Sequence, residues 1–504
     1  MSLQNSPIAF YNGSGEERTL STEKTMRSSL FKNLRFQTYL QIVNTIIPLI
    51  TTPYIARVLG SVQLGIFSYT TSVASFFTLF AMLGTTNYGT RAIATETDEE
   101  KRRTVFAEIY FFQLVTCSIS IILYLGYLVI CRENRFIAGL QLITLIGYLF
   151  DVSWFYFGME EFSITVKCNM FFRIMAFVSL FVFVKDAGDL WIYTVIMLLS
   201  AALGHGILWI KLLKDREISF GGIKRSSIVR HIKPNLLLFV PLIAMTIYHS
   251  TDKLMLGMFS TYEQTGFYYN VDKVINVPLA VFSGIGTVML PRMTVLFQQD
   301  RNRAKEFFFE CMGGIMMIGT AICFGIIAVA EEFIPLFLGK GYTECIQLII
   351  TFAPIVIVKC ISNTIRMQYL IPQGQESIYI KATVAGAIIN VVLNYILIPQ
   401  YGALGAEITT IVSEVVALVI QIVYMHERKR FVKTGADLLA YVFLGVVMVL
   451  VVRPFDSIVS KAYMLTLVKV VIGGVAYCSL VIVYWWIFRN PLLYKYIKGL
   501  LRKK

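Results

Sequence analysis

Residues 105–130 read VFAEIYFFQLVTCSISIILYLGYLVI, a run of 26 positions with one acidic and no basic side chain. At 1.5 Å per residue a helix of this length spans about 39 Å, more than the roughly 30 Å hydrocarbon thickness of a bilayer. The run is apolar on every face instead of along one stripe, which favours lipid over a water-soluble bundle. Similar runs follow one another along the chain, and we predict an all-α integral membrane protein.

We count about fourteen such runs, and only closed helices satisfy their backbone groups inside lipid. Short polar segments separate them, so the chain leaves no room for a soluble domain. The predicted spans are 36–59, 64–89, 105–130, 136–158, 163–184, 190–212, 234–258, 268–291, 307–330, 345–370, 377–398, 404–425, 437–454 and 464–488.

Composition excludes several classes of protein. Hydrophobic residues make up 56% of the chain and charged residues only 15%. The net charge of +14 comes from segments between apolar runs and not from one exposed surface, so we expect no nucleic-acid partner. The sequence has no phosphate-binding loop, no nucleophile elbow and no metal-ligand spacing. We therefore expect no enzyme activity, no cofactor and no metal site.

The loops predict the orientation of the chain. Roughly thirty Lys and Arg residues fall on one side of the membrane and roughly seven on the other, and the basic side is the cytoplasm. Both termini are therefore expected in the cytoplasm, and the chain is expected in a bacterial cytoplasmic membrane as a multi-pass protein.

Two parts of the sequence resemble each other. Residues 56–60 (ARVLG) precede Gly65, and residues 253–257 (KLMLG) precede Gly266. An even number of helices per copy predicts two six-helix lobes related by a pseudo-two-fold axis along the membrane normal. The predicted divisions are a tail (1–35), a first lobe (36–213), a linker (214–233), a second lobe (234–430) and two final helices with a basic tail (431–504).

Ionisable side chains inside the apolar runs are candidate functional residues, because each costs about 2.5–3.5 kcal/mol at the bilayer centre without a partner. Asp151 and Arg173 belong to a tight hairpin and lie at similar predicted depth. A structural ion pair between them and a contact with substrate are both compatible with this placement.

A similar polar group is predicted in the second lobe. Lys359 and Glu414 fall at matching depths, with Asn390 and Asn394 close by. Here too a structural role and a transport role both remain open, and Asp151 and Glu414 are the acids that could couple transport to a cation.

Five charged residues collect near the predicted outer ends of cleft-lining helices: Arg57, Asp252, Lys253, Asp272 and Lys273. Snorkelling of the basic side chains to the interface is one explanation. The carboxylates beside the two lysines favour a polar site over a simple positive anchor.

Three patches carry a family resemblance. They are residues 53–60 (PYIARVLG) with Gly65, residues 251–257 (TDKLMLG) and residues 287–292 (TVMLPR). Together they resemble bacterial polysaccharide flippases of the O-antigen and capsule type. The resemblance implies membership of the superfamily that also holds multidrug and toxin extrusion (MATE) transporters and lipid II flippases, with two lobes around a central cavity.

The resemblance also implies that basic residues line the cavity and that the last two helices form a lipid-filled groove beside it. The basic positions would be Arg57, Lys253, Arg173, Lys273 and Lys359, with Lys469 as the residue of interest in the groove.

The expected activity is translocation of an undecaprenyl-pyrophosphate-linked oligosaccharide from the inner to the outer leaflet. The other partners that this function implies are membrane lipids, a polysaccharide polymerase and glycosyltransferases. Two rival functions remain open: a MATE-like cation-coupled multidrug antiporter, which needs unpaired acids in the cleft, and a non-transporting scaffold in a polysaccharide assembly complex.

Overall fold

A computed structural model describes residues 16–214, 225–459 and 461–488, and the regular elements in these ranges are helices. The helices are α1 (Glu16–Met82), α2 (Thr85–Thr95), α3 (Glu99–Ile130), α4 (Arg135–Leu140), α5 (Leu142–Leu149), α6 (Ser153–Gly158), α7 (Phe162–Phe183), α8 (Leu190–Lys214), α9 (Arg225–Phe259), α10 (Tyr262–Gln299), α11 (Arg301–Phe337), α12 (Glu344–Phe352), α13 (Ile355–Ile365), α14 (Glu376–Tyr424), α15 (Arg428–Val452) and α16 (Ala462–Ile487).

Within the described ranges, eleven helical stretches are long and apolar enough to cross a membrane. The all-α membrane class is therefore as predicted. Two stretches hold a break at a glycine: Gly60 in α1 (φ 79°) and Gly402 in α14 (φ 56°). Only glycine adopts such angles readily. The first arm of each helix (16–59, 376–401) therefore meets its second arm (61–82, 403–424) without a loop, which merges runs that the sequence separated.

The two breaks lie at one end of the bundle, which we call the outer end, following the predicted topology. There α1 and α10 approach so closely that no side chain fits between them. A Cβ on Gly65 would lie 1.6 Å from the carbonyl oxygen of Tyr262, and one on Gly266 would lie 1.9 Å from that of Ser61. Each glycine contacts the residue that lies four positions before the other glycine, so the contact is reciprocal.

Other helices are interrupted inside the bundle. Short helices α4, α5 and α6 make up one stretch, and α12 and α13 continue into a π-helical turn, Arg366–Leu370. Such turns are rare and often mark functional sites, because they re-aim the side chains that they carry. The largest apolar core lies towards the outer end, where Leu256, Val271 and Ile355 are fully buried.

Some predicted divisions fall outside the described residues. These are residues 1–15 of the amino-terminal tail, residues 215–224 of the linker and residues 489–504 of the basic carboxyl-terminal tail. Helix α1 begins at Glu16, inside the segment predicted as a tail. The lobe boundaries stay predictions.

Candidate functional site

A polar cavity of about 260 Å³ lies between α9, α10, α13 and α14. Its charged side chains are Lys359, Arg366 and Glu414, and amide, hydroxyl and aromatic groups make up much of the remaining wall. In a membrane-spanning bundle, ionisable side chains face a water-filled space or one another. This cavity is therefore the candidate binding site.

Lys359 and Glu414 face each other across the cavity, with 3.7 Å between Nζ and Oε1. The sequence placed them at matching depth, and the structure brings them together. Asn390 and Asn394, which were predicted near this pair, donate instead to the carboxylate of Asp252. The pair leaves little net charge on this part of the wall.

Arg366 supplies the remaining positive charge of the cavity. Its guanidinium donates to Asn363 (2.8 Å) and to the hydroxyl of Tyr379 (3.2 Å), and it lies 5.0 Å from the Tyr379 ring centroid. Within the described residues, no carboxylate lies within ion-pair distance of it. The sequence analysis missed Arg366, although it is a basic residue inside an apolar run and that signal was available.

Asp252 is buried, with 3% of its surface exposed. Its carboxylate accepts hydrogen bonds from Tyr268 (2.6 Å), Asn390 (2.9 Å), Asn394 (2.6 Å) and Thr410 (2.8 Å). Hydrogen bonds to charged acceptors are strong, and here neutral donors fill the available lone pairs. In this conformation Asp252 joins α9 to α10 and α14 through hydrogen bonds, and its side chain does not line the cavity.

Lys253 and Asp272 form an ion pair of 2.7 Å, with about a fifth of each side chain exposed. The ring of Tyr269 lies between the two lysines, 5.8 Å from the Lys253 ammonium and 4.2 Å from that of Lys273. Cation–π contact of this kind stabilises a lysine that has no carboxylate partner. Of the two predicted lysines here, Lys253 is therefore neutralised and Lys273 is not.

Removing one partner of this pair is expected to destabilise the protein. Lys253→Met or Asp272→Asn leaves a partly buried charge without its counter-ion, which costs about 3 kcal/mol, and the double variant should recover most of the loss. Thermal unfolding of the purified protein in detergent measures all three variants. Additive losses in the double variant would show that the pair is not coupled.

The predicted pair between Asp151 and Arg173 is not formed. Oδ1 of Asp151 lies 3.5 Å from Nδ1 of His205 and accepts from the backbone of Ser153 (2.9 Å). Arg173 is exposed on α7, and within the described part of the chain no acid pairs with it. Two residues at the same depth in the membrane can still point in different directions around their helix axes. Asp151 and Arg173 do so here, and they therefore do not meet.

Arg57 lies at the outer end and not in the cavity. Its side chain is exposed, its guanidinium donates to the carbonyl oxygen of Leu336, and its Cγ would contact a Cβ placed on Gly339. The hydroxyl of Tyr342 donates to the carbonyl oxygen of Ala56 (2.9 Å). These bonds join α1 to the last turn of α11 and to the segment that follows it, at the outer end.

An apolar groove of about 500 Å³ lies beside the cavity, bounded mainly by α10, α11 and α16. Lys469 is the charged residue on its wall, and its ammonium is held by Glu332 (2.8 Å) and Asp456 (2.6 Å). Both acids neutralise the lysine, so the groove presents an apolar surface. Its position on the last helix matches the groove expected there.

A polar cluster that was not predicted lies at the opposite, inner end. The buried Glu108 of α3 accepts from Nε2 of His231 (2.9 Å) and from the guanidinium of Arg230, both on α9. The hydroxyl of Tyr88, on α2, donates to Nδ1 of the same histidine (2.7 Å). One charged group therefore joins α2 and α3 of the predicted first lobe to the part of α9 that lies in the predicted linker.

Comparison with known proteins gives the same fold and a consistent family. Residues 30–297, just over half of the chain, match the family model described as "Polysaccharide biosynthesis protein". The chain is 21% identical to the "Putative O-antigen transporter" of Escherichia coli (strain K12) over 81% of this chain and 99% of that protein. A shorter match, 22% identical over 35% of this chain and 38% of the relative, is to the "Probable low-salt glycan biosynthesis flippase Agl15" of Haloferax volcanii.

A solved structure of the lipid II flippase MurJ, in an inward closed conformation, superposes with a TM-score of 0.74 at 14% sequence identity. The superposition covers 91% of this chain and all of that one, so the two chains share a fold. Since the family model matches more than half of the chain, the chain belongs to the polysaccharide biosynthesis protein family, a family of membrane transporters and not of enzymes.

Proposed function

We propose that this protein is a flippase that moves an undecaprenyl-pyrophosphate-linked oligosaccharide from the inner to the outer leaflet of a bacterial cytoplasmic membrane. Fourteen crossings form two six-helix lobes and a final pair, and the lobes alternate their opening. The reciprocal contact of Gly65 and Gly266 supports the pseudo-two-fold relation, because an isologous contact repeats each interaction across its axis. Both termini then lie in the cytoplasm.

The observation that carries the proposal is a positive charge without an ion-pair partner in the cavity. Arg366 presents a planar guanidinium whose geometry suits two phosphate oxygens at once, and Asn363 and Tyr379 hold it in place. Lys359 lies on the same wall, where a stronger anion could compete with Glu414 for its ammonium. A pyrophosphate meets these groups with charge-assisted hydrogen bonds.

The apolar groove gives the polyprenyl tail a surface beside the cavity. The tail would lie along α10, α11 and α16, partly against protein and partly against lipid. The sugar would remain in the polar space because burying unpaired hydroxyl groups in hydrocarbon costs several kcal/mol each. This division lets one molecule cross without carrying its tail through water.

A bulky side chain in the groove is expected to slow transport of long-tailed substrates. Gly474 lines the groove and has open space where its Cβ would lie, so Gly474→Trp should fit without disturbing the helix. Transport of an undecaprenyl substrate should fall about tenfold more than that of a short-tailed analogue, a difference of about 1.4 kcal/mol. Flipping of labelled substrates in proteoliposomes measures the ratio.

Gly126→Trp is the matched control, because that glycine also has open space around it but lies on α3, away from the groove. Equal losses for both tail lengths in Gly474→Trp would argue against tail binding at this place.

The direction of transport follows from charge. An interior-negative potential contributes about 2.3 kcal/mol per 100 mV for each negative charge moved outward. The potential therefore drives an anionic pyrophosphate head group to the outer leaflet. A polymerase and glycosyltransferases of surface polysaccharide assembly are the other proteins expected to act on the lipid-linked sugar.

The rival antiporter needs unpaired acids in the cleft to bind organic cations. Asp151 faces His205 and Glu414 faces Lys359, so the two acids proposed for that role have partners. An antiporter that binds cations at Asp151 or Glu414 would first have to break these contacts.

Reconstitution tests the proposal against both rivals. Purified protein in vesicles should move a fluorescent undecaprenyl-pyrophosphate oligosaccharide to the opposite leaflet without any other protein, and an inside-negative potential should speed this movement. A protein that moves no lipid-linked sugar but exports organic cations is an antiporter, and one that moves neither is a scaffold.

A further inference from the structure

Glu407 is a buried acid that the proposed transport cycle does not use. It lies in the second arm of α14 and has 0% of its surface exposed. Within the described residues, neither of its carboxylate oxygens has a hydrogen-bond partner. Buried polar groups in folded proteins are almost always paired, so an orphaned carboxyl group needs a physical explanation.

The surroundings of Glu407 offer it no counter-ion. The ionisable groups that interact with it electrostatically are Asp272 and Cys345, and neither is a cation. The nearby lysines have other contacts: Lys253 is paired with Asp272, Lys359 faces Glu414, and the ammonium of Lys273 lies over the ring of Tyr269. Glu414 is a further ionisable residue on the second arm of α14. The helices that pack against this arm carry other ionisable side chains: His249, Asp252, Tyr268, Glu344 and Lys359.

These contacts fix the state of the acid. Among the described residues, an ionised carboxylate at this position would have no hydrogen-bond donor and no paired cation to offset its desolvation, so the protonated, neutral form is favoured. Asp252 shows the contrast, because its carboxylate accepts hydrogen bonds from four donors. One of these donors is Thr410, which lies three residues after Glu407 on the same arm of α14.

Glu407 also lies close to the seal of the outer end. It is on the second turn of its arm, about 6 Å along the axis from Ala403. Cys345, which interacts with it, follows the segment whose Tyr342 bonds to α1. Separating α1 from that segment would free the start of α12 to move away from α14 and admit water to Glu407.

We propose that Glu407 is a proton-binding site and that the bound proton stabilises the closed outer end. The closed state holds the neutral acid, and the open state lets the hydrated acid release its proton to external water. A ligand shifts a conformational equilibrium towards the state that binds it better. Low external pH therefore favours closure and high external pH favours opening, whether or not a lipid-linked sugar is present.

Distance measurements at the outer end test this inference. Spin labels carried by non-natural amino acids at the exposed positions Arg132 and Gly341 report the separation of the two sides while the native cysteines remain. In nanodiscs without substrate, the open population of the wild type should rise with pH by up to about tenfold per unit within the titration range. Glu407→Gln and Glu407→Met should stay closed throughout.

Glu263→Gln is the control, because it removes an exposed glutamate from the same end and should titrate like the wild type. A wild type that does not respond to pH, or Glu407 variants that respond as it does, would overturn the proposal. Infrared difference spectra give a second test: the wild type minus Glu407→Gln should show the carbonyl stretch of a protonated carboxylic acid at neutral pH. A carboxylate band there instead would also overturn it.

Discussion

Gly65→Val and Gly266→Val are each expected to hold the outer end open and to reduce transport more than tenfold. A side chain at either position would overlap a backbone carbonyl oxygen of the facing helix, at 1.6 Å and 1.9 Å for the Cβ alone. Backbone cannot rotate aside as a side chain can, so closure requires the two helices to move apart. Overpacking of this kind costs about 1–3 kcal/mol or more.

The measurement combines the spin-label distance at the outer end with transport in proteoliposomes. Gly284→Val is the matched control, since Gly284 lies on the same helix as Gly266 and has open space where its Cβ would lie. Variants that close normally and transport normally would show that the reciprocal contact is not the seal.

Arg366→Glu is expected to abolish transport of the lipid-linked sugar while leaving protein abundance near normal. The substitution removes the guanidinium proposed to bind the pyrophosphate and puts a like charge beside Glu414, in a cavity shared with the substrate head group. Loss of charge-assisted hydrogen bonds alone costs about 1.5–3 kcal/mol, which is about tenfold to a hundredfold. Arg366→Lys keeps the charge but not the planar fork, so it should retain part of the activity.

Arg292→Glu is the control for this experiment. That arginine also lies over an aromatic ring, 4.8 Å from the Phe307 centroid, but it is exposed and outside the cavity. Initial rates of flipping and the amount of protein in the membrane are measured together. Normal transport by Arg366→Glu would remove the residue from the proposed binding site.

The sequence predicted the features that depend on depth in the membrane. Long apolar runs require helices, and counting along them placed Lys359 and Glu414 at one level, where the structure pairs them. Depth says nothing about direction around a helix axis. Asp151 therefore meets His205 instead of Arg173, and Asn390 and Asn394 reach Asp252 instead of Lys359.

Features that arise from local departures from a regular helix were not predicted. The π-helical turn aims Arg366 at the cavity, and the break at Gly402 allows two arms to form without a loop. The orphaned state of Glu407 depends on what every neighbouring helix lacks, which no single stretch of sequence reveals. Arg57 lies at the end of the bundle where it was predicted. Its hydrogen bond to the carbonyl oxygen of Leu336 could not be predicted, because it depends on the packing of a helix far away in the sequence.

The helices are joined by different kinds of contact at the two ends of the molecule. The cluster of Glu108, Arg230 and His231 holds a buried carboxylate against a guanidinium, so single charge substitutions change its strength. The Gly65 and Gly266 contact is steric and has no charge to screen. Evolution can therefore change the strength of the inner-end contact through single changes in charge, while the outer end tolerates no side chain at either glycine.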